Sequence, residues 1–200
     1  MASVTSMTIP TQIKRVMLFV DGKNLAARFN GLKESGKRPF EKVEEIKDTF
    51  VWIPFHFEHP KSLPMGLETY DIIRGYYFTY FVCDVALIRE YIEKIKNTQI
   101  RMNTDQTFLP RVIKKDRSER DVKGDDIGLT VIALHHAFHQ HMDIMHLFTG
   151  DGDYIPLVEE VQRLGIRVYV SAFSLGLNNK LRLTADKFFE LDRHFFYPDV

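Results

Sequence analysis

Two hundred residues, 44% of them hydrophobic and 16 of them Phe, suffice for one domain with a substantial core and exclude a disordered chain. Lys plus Arg equals Asp plus Glu at 27 each, so global charge gives no argument for nucleic acid. No apolar run approaches the ~20 residues that span a bilayer, which predicts a protein with no membrane partner.

Residues 1–13 read as a flexible tail, rich in Ser and Thr and without the charged-then-apolar pattern of a secretory signal. Residues 14–200 read as one domain. Its first strand is predicted at about Arg15–Val20, ending on Asp21, and a helix follows from Gly22 to about Gly31 with Leu25 and Phe29 inward. Residues 41–50 carry mild helical spacing through Val43, Ile46 and Phe50. The stretch at about 50–68 holds Trp52, Phe55, Phe57, His56, His59 and three prolines, and it reads as an insert with a short edge strand at most.

Ile72–Val82 is dense in aromatic and β-branched residues and is a second strand. Asp84 opens a helix to about Lys96, with Val85, Ile88, Ile92 and Ile95 on one side. The single cysteine, Cys83, has no partner for an internal disulfide and predicts a small buried hydrophobe in a reducing, cytoplasmic setting. Residues 100–115 alternate, which predicts a hairpin or a strand with a long turn. Asp125–His141 is a helix on the spacing of Ile127, Val131, Leu134 and Phe138. Ile144–Phe148 is a strand, Tyr154–Leu164 a helix capped by Gly165, and Ile166–Val170 the last strand. Residues 175–189 close the chain with helical character. Strands alternating with helices predict an α/β domain, a Rossmann-like sandwich with a mainly parallel sheet covered on both faces. In such sheets ligands bind beyond the carboxyl ends of the strands, where strand order reverses.

Acidic residues stand where such a site would form. Asp21 ends the first strand, with Asn24 three residues on. Thr149-Gly150-Asp151-Gly152-Asp153 follows the strand at 144–148, and Lys123-Gly124-Asp125-Asp126 begins a helix. Each acid alone has a plain reading as a helix cap or turn residue. Asp151 and Asp153 share one junction that needs a single cap, which weakens that reading for the pair. Carboxylates gathered at strand ends repel one another unless a hard cation such as Mg²⁺ or Mn²⁺ lies between them, and such an ion activates water for phosphodiester hydrolysis. Asp21, Asp126, Asp151 and Asp153 are the candidate metal ligands, with Asp125 a further acid of uncertain role. Asn24 and Thr149 are placed to complete the network.

Residues 111–123 carry Arg111, Lys114, Lys115, Arg117, Arg120 and Lys123 against three acids and lead into the Lys123-Gly124-Asp125-Asp126 element. Arg117, Arg120 and Lys123 are candidate phosphate contacts beside the acids, against the plain reading of a solvated loop. Tyr76, Tyr77 and Tyr80 offer stacking faces, although strand-face packing is their commoner use. His135, His136, His139 and His141 lie close in sequence without a cysteine or carboxylate at zinc-ligand spacing.

Val20-Asp21-Gly22-Lys23-Asn24, Lys123-Gly124-Asp125-Asp126 and Thr149-Gly150-Asp151-Gly152-Asp153-Tyr154 together resemble the NYN domain, in its LabA-like branch, within the PIN-like nuclease superfamily. The resemblance spans about Arg15–Leu191 and is weakest at 40–70. It implies a PIN-like sandwich and a metal-dependent endoribonuclease site at Asp21, Asn24, Asp126, Asp151 and Asp153, with Lys123 beside it and RNA as substrate. Thr149 and Tyr154 stand where Ser and Phe are usual, and Asp125 where an apolar residue is usual. Two other functions compete: a non-catalytic RNA-binding or regulatory module of the same fold, and a phosphohydrolase of small esters. Lys23, where the latter would need an acid, argues against it. Oligomeric state is left open, a homodimer included.

Overall fold

The computed structural model describes residues 13–54, 70–81, 85–101, 104–114 and 124–198. The predicted tail up to residue 12, the greater part of the predicted insert, Cys83, and the basic residues Arg117, Arg120 and Lys123 lie outside them.

Six parallel strands make the main sheet: β1 (Lys14–Asp21), β4 (Tyr70–Phe81), β5 (Phe108–Lys114), β6 (Ile144–Phe148), β7 (Arg167–Ala172) and β8 (Lys187–Glu190). Their order across the sheet is β5-β4-β1-β6-β7-β8. The chain runs outward from β1 to one edge, returns, and runs outward from β6 to the other. Strand order therefore reverses between β1 and β6, which pair with Val20 opposite Phe148.

The continuous apolar runs are explained by burial on both faces. Val16, Leu18 and Val20 of β1 pack on one face with α1 (Gly22–Glu34), α2 (Val85–Asn97) and the short α6 (Asp192–Phe195). Met17 and Phe19 pack on the other with α3 (Gly124–Phe138), α4 (Ile155–Arg163) and α5 (Asn179–Thr184). Three helices present residues that their spacing predicts: Leu25 and Phe29 in α1, Ile88 and Ile95 in α2, and Leu157 and Val161 in α4 are buried. Gly165 follows α4 at φ 80°, the left-handed conformation that glycine adopts without a Cβ penalty. No helix among the described residues is long and apolar enough to cross a membrane.

Four expectations are corrected. Residues 44–52 form an antiparallel hairpin, β2 (Glu44–Ile46) and β3 (Phe50–Trp52), although the spacing over 41–50 predicts a helix. The turn between them places Asp48 at φ 57°, a conformation Asp tolerates better than most residues, and three turn residues defeat a reading from apolar spacing alone. The start of the supposed insert is core: Phe50, Val51 and Trp52 are fully buried, and Trp52 meets Phe108 and Phe148 edge-on at 4.7 and 5.2 Å between ring centres.

The chain end adds a sixth strand. After Thr184, Asp186 is tied to Val168 in both directions: its N–H donates to the Val168 carbonyl at 2.9 Å and its carboxylate accepts from the Val168 N–H at 2.7 Å. That clamp starts β8 alongside β7 and ends the helical spacing of residues 175–184.

Finally, the stripe that signals α3 is not the face it buries. Ile127, Val131 and Phe138 are 59%, 59% and 60% exposed and only Leu134 of the stripe packs against the core, while Leu129, Ala133 and Ala137 are fully packed. Small residues permit close approach to the sheet, and the rotation also turns Asp125 inward. Of the two readings for residues 100–115, the strand preceded by a turn is realised. Gln99 and Thr107 bridge the turn, and β5 then runs parallel to β4 as an edge strand, where Pro110 needs no ladder donor.

Candidate metal and phosphate site

Asp21 is the last residue of β1 and caps α1: its Oδ1 accepts the Asn24 N–H at 3.0 Å. Its Oδ2 accepts the Thr149 hydroxyl at 2.9 Å, which ties the end of β1 to the residue after β6. Gly22 permits this tight exit, because a Cβ there would run into the Tyr77 ring and lie 2.7 Å from the Phe78 carbonyl oxygen. Thr149 Oγ1 in turn accepts the Asp151 N–H at 3.1 Å, and Asn24 Oδ1 accepts the Gly150 N–H at 3.0 Å. The two strand-end loops flanking the point of reversal are thus sewn together by side chains the sequence singled out.

α3 brings the other acids. Asp125 and Asp126 occupy its first turn, where the helix dipole favours negative charge. Asp126 Oδ1 accepts the Tyr154 hydroxyl at 2.7 Å. Tyr154 is buried, and its phenol is held far above its ordinary range by burial first and then by the charges of Asp21 and Asp126.

Electrostatics single out Asp21. It is 5% exposed, and its carboxyl is pushed up to about 7 by burial, against the hydrogen bonds from Asn24 and Thr149 and with added repulsion from Asp126 and Asp125. Asp125, 6% exposed, is also raised, by burial and then by Asp126, while Lys23 opposes the shift. Lys23 Nζ sits 3.9 Å above the Tyr80 ring centre and donates to the Asp48 carbonyl at 2.8 Å.

Asp21, Asn24 and Thr149 are therefore brought into one hydrogen-bonded network, and Asp126 and Asp125 act on Asp21 through their charge. Asp151 and Asp153 are placed differently. Asp151 is half-buried and its Oδ1 accepts the Asp153 N–H at 3.0 Å, capping a single 3₁₀ turn over Gly152–Tyr154. Asp153 is exposed.

Among the described residues no three His, Cys, Asp or Glu side chains stand ready to grip a metal ion. The donor set nonetheless fits a hard divalent cation. Mg²⁺ commonly keeps several waters and takes one or two carboxylates plus substrate phosphate, with no full protein cage required. A carboxylate raised to about 7 by burial, with added repulsion from two other carboxylates, is the chemistry such an ion satisfies.

A family model of the NYN domain matches residues 15–192. The chain belongs to the NYN domain family. The NYN domain is a domain of the PIN-like nuclease superfamily. No curated protein matches the chain. The crystal structure of a protein of unknown function from Vibrio parahaemolyticus is similar in fold, at a TM-score of 0.57 and 18% sequence identity, covering 96% of this chain and 100% of that one. That likeness speaks for the α/β sandwich alone.

Within this NYN domain, two features escaped the sequence reading. Tyr154 reads as a mild replacement for Phe, yet its hydroxyl is the donor that holds Asp126. Lys23 reads only as an argument against another chemistry, and the turn at Asp48 that positions it lies in a hairpin misread as helix. Of the three tyrosines considered for stacking, Tyr76 and Tyr77 are buried. The Tyr77 hydroxyl exchanges hydrogen bonds with the Val51 backbone. The histidines cluster at the far end of α3, with His136 Nδ1 2.9 Å from His141 Nδ1 and His136 Nε2 2.9 Å from the Tyr76 hydroxyl. Burial, then the charge of His141, pushes His136 down to about 4, which keeps it neutral at physiological pH.

Proposed function

We propose that this NYN domain, of the LabA-like branch, is a metal-dependent endoribonuclease that hydrolyses RNA phosphodiester bonds with Mg²⁺ or Mn²⁺. One observation carries the reading: a buried carboxylate, Asp21, facing Asp125 and Asp126 at the point where strand order reverses, in a chain of a nuclease superfamily.

The ion, when bound, supplies a water acidic enough to act as nucleophile near neutral pH and neutralises charge on the leaving oxygen. Asp21 and Asp126 would hold it, together with Asp151 and Asp153 from the loop after β6. Tyr154 fixes the rotamer of Asp126. Asn24 has its carbonyl oxygen committed to Gly150, so its NH₂ is the end that meets a phosphate oxygen. Thr149 holds Asp21 in line and with it the scissile phosphate's register. Lys123, Arg120 and Arg117, on the segment entering α3, contribute the salt-dependent backbone contacts. A cytoplasmic location follows from RNA as substrate and from a sequence with one cysteine.

A second reading, a non-catalytic RNA-binding or regulatory module, draws support from the capping duty of Asp151 and from the absence of three converged ligands among the described residues. Incubating the protein with single-stranded and structured RNA, with and without Mn²⁺, decides between them. The nuclease reading expects Mn²⁺-dependent cleavage that is abolished in a folded Asp151→Asn variant. Binding without turnover supports the second reading.

A further inference from the structure

α1 carries a second polar side chain on the face that holds Asn24. Arg28 follows Asn24 by one helical turn, and helical side chains lean toward the N-terminus of their helix. Arg28 therefore leans over the turn from which Asn24 accepts the Gly150 N–H. The loop between β7 and α5 crosses this face. Leu175 packs over Gly31, and Gly176, at φ 70°, lies on the Arg28 guanidinium, where a Cβ would run into Nε, Cζ and Nη1. The same loop residue reaches the acid site. A Cβ on Gly150 would stand 3.4 Å from the Gly176 carbonyl oxygen and 3.6 Å from Asn24 Oδ1. One residue, Gly176, thus separates the Arg28 guanidinium from the network of Asp21, Asn24, Thr149 and Gly150.

Arg28 Nε is buried there without a hydrogen-bond partner. Buried donors are nearly always paired, and one on a charged group is costly to leave open. A guanidinium only donates, so what completes it is an acceptor, and its planar fork of N–H groups matches the oxygens of a phosphate. Burial between α1 and the Gly176 backbone holds the fork in place before any ligand arrives, which lowers the ordering cost of binding.

We propose that Arg28 holds the phosphate next to the scissile one and so aligns the strand along α1, a proposal that rests on the nuclease reading for the identity of the anion. Along α1 the order is Asp21 at the metal, Asn24 at the scissile phosphate, and Arg28 one turn further on. Arg28 is a positioning residue in this arrangement, since it touches the substrate away from the reacting atoms.

Two variants test it. Arg28→Met keeps the apolar stem and deletes both the charge and the unpaired donor. Gly176→Ala keeps the charge and pushes the guanidinium from its place, and it decides the matter if Arg28→Met does not fold. Thermal melts establish which variants are folded. Binding of a short fluorescent single-stranded RNA is measured by anisotropy in EDTA, over about 50 to 200 mM salt. Folded Arg28→Met is expected to bind about tenfold more weakly at the low end, and its plot of log affinity against log salt to be shallower by about 0.7, the share of one phosphate contact on a single strand. Its melting temperature is expected to be unchanged or higher, because a buried donor without a partner has been removed. With Mn²⁺, KM is expected to rise about tenfold while kcat holds. Folded Gly176→Ala is expected to move affinity and salt slope in the same direction. Wild-type affinity and slope in the folded variant overturn the proposal, as does a lowered melting temperature with an unchanged slope, which marks a structural arginine. Failure of the wild type to bind the strand overturns it too. Arg28-dependent binding without Mn²⁺-dependent cleavage would sink the nuclease reading and leave Arg28 a backbone contact of a binding module.

Discussion

Asp21 and Asp192 are almost equally buried, at 5% and 6% exposure, and their surroundings push them in opposite directions. Burial alone would raise Asp192. The Ser174 N–H at 2.8 Å, the Ser174 hydroxyl at 2.7 Å and Lys37 at 3.0 Å outweigh it and hold the carboxyl below its ordinary range. Asp21 has comparable hydrogen bonds, from Asn24 and Thr149, but the burial of its carboxyl outweighs them, and Asp126 and Asp125 add repulsion where Asp192 faces an ammonium. One corner of the molecule is electrically complete and fastens α6 to the rest. The other is short of positive charge. Strain of that kind at the reversal of strand order belongs to sites that bind something.

The largest effect that would break this contrast is catalytic. Asp21→Asn removes the central charge while keeping the volume, and RNA cleavage in Mn²⁺ should fall by about 100-fold or more, as for loss of a transition-state charge stabiliser. Asp192→Asn should leave single-turnover cleavage within experimental scatter. Equal losses in both would remove the distinction.

Stability should move the other way. Asp192→Asn strips a buried charge from Lys37 and Ser174 and should cost about 1–3 kcal/mol in denaturant unfolding at pH 7.5. Asp21→Asn should stabilise, by on the order of 1–4 kcal/mol at the same pH, because a folded-state value of about 7 against 3.8 means the native state opposes ionisation. The sign fixes the window. Between pH 4 and 7 the folded protein holds more protons on Asp21 than the unfolded chain does, so its ionisation lowers stability as pH rises. The advantage of Asp21→Asn should be near zero at pH 4 and grow to a plateau above 7. Asp192 contributes stability above the ordinary carboxylate range, and that contribution is lost as pH falls below about 3.8.

The smallest effect sharpens the picture of the acid site. Tyr154→Phe deletes only the hydroxyl that holds Asp126. Cleavage should fall about tenfold, by loss of one hydrogen bond to a charged group, with little change in melting temperature.

Much of this contrast could be read before any coordinates. Residues 144–148 announced themselves as a buried strand because both faces of a parallel sheet are covered. Asp21 and the acids after Phe148 stood out because they end such strands. Asp192 did not, since nothing local distinguishes a carboxylate that meets Lys37, 155 residues away, from a solvated one. The hairpin at 44–52 was hidden by a positive-φ Asp, and β8 by a clamp to Val168 that only tertiary structure supplies. The buried face of α3 was masked by an apolar stripe pointing outward, and Tyr154 by chemistry that exists only once Asp126 is beside it.

The most direct test is calorimetric titration of Mn²⁺ into the wild type and Asp21→Asn at pH 6.5, in buffers of different ionisation enthalpy. The account predicts Mn²⁺ binding with release of a fraction of a proton from Asp21, and loss of both in the variant. Binding of equal strength in the variant, or binding by the wild type with no proton released, would contradict it.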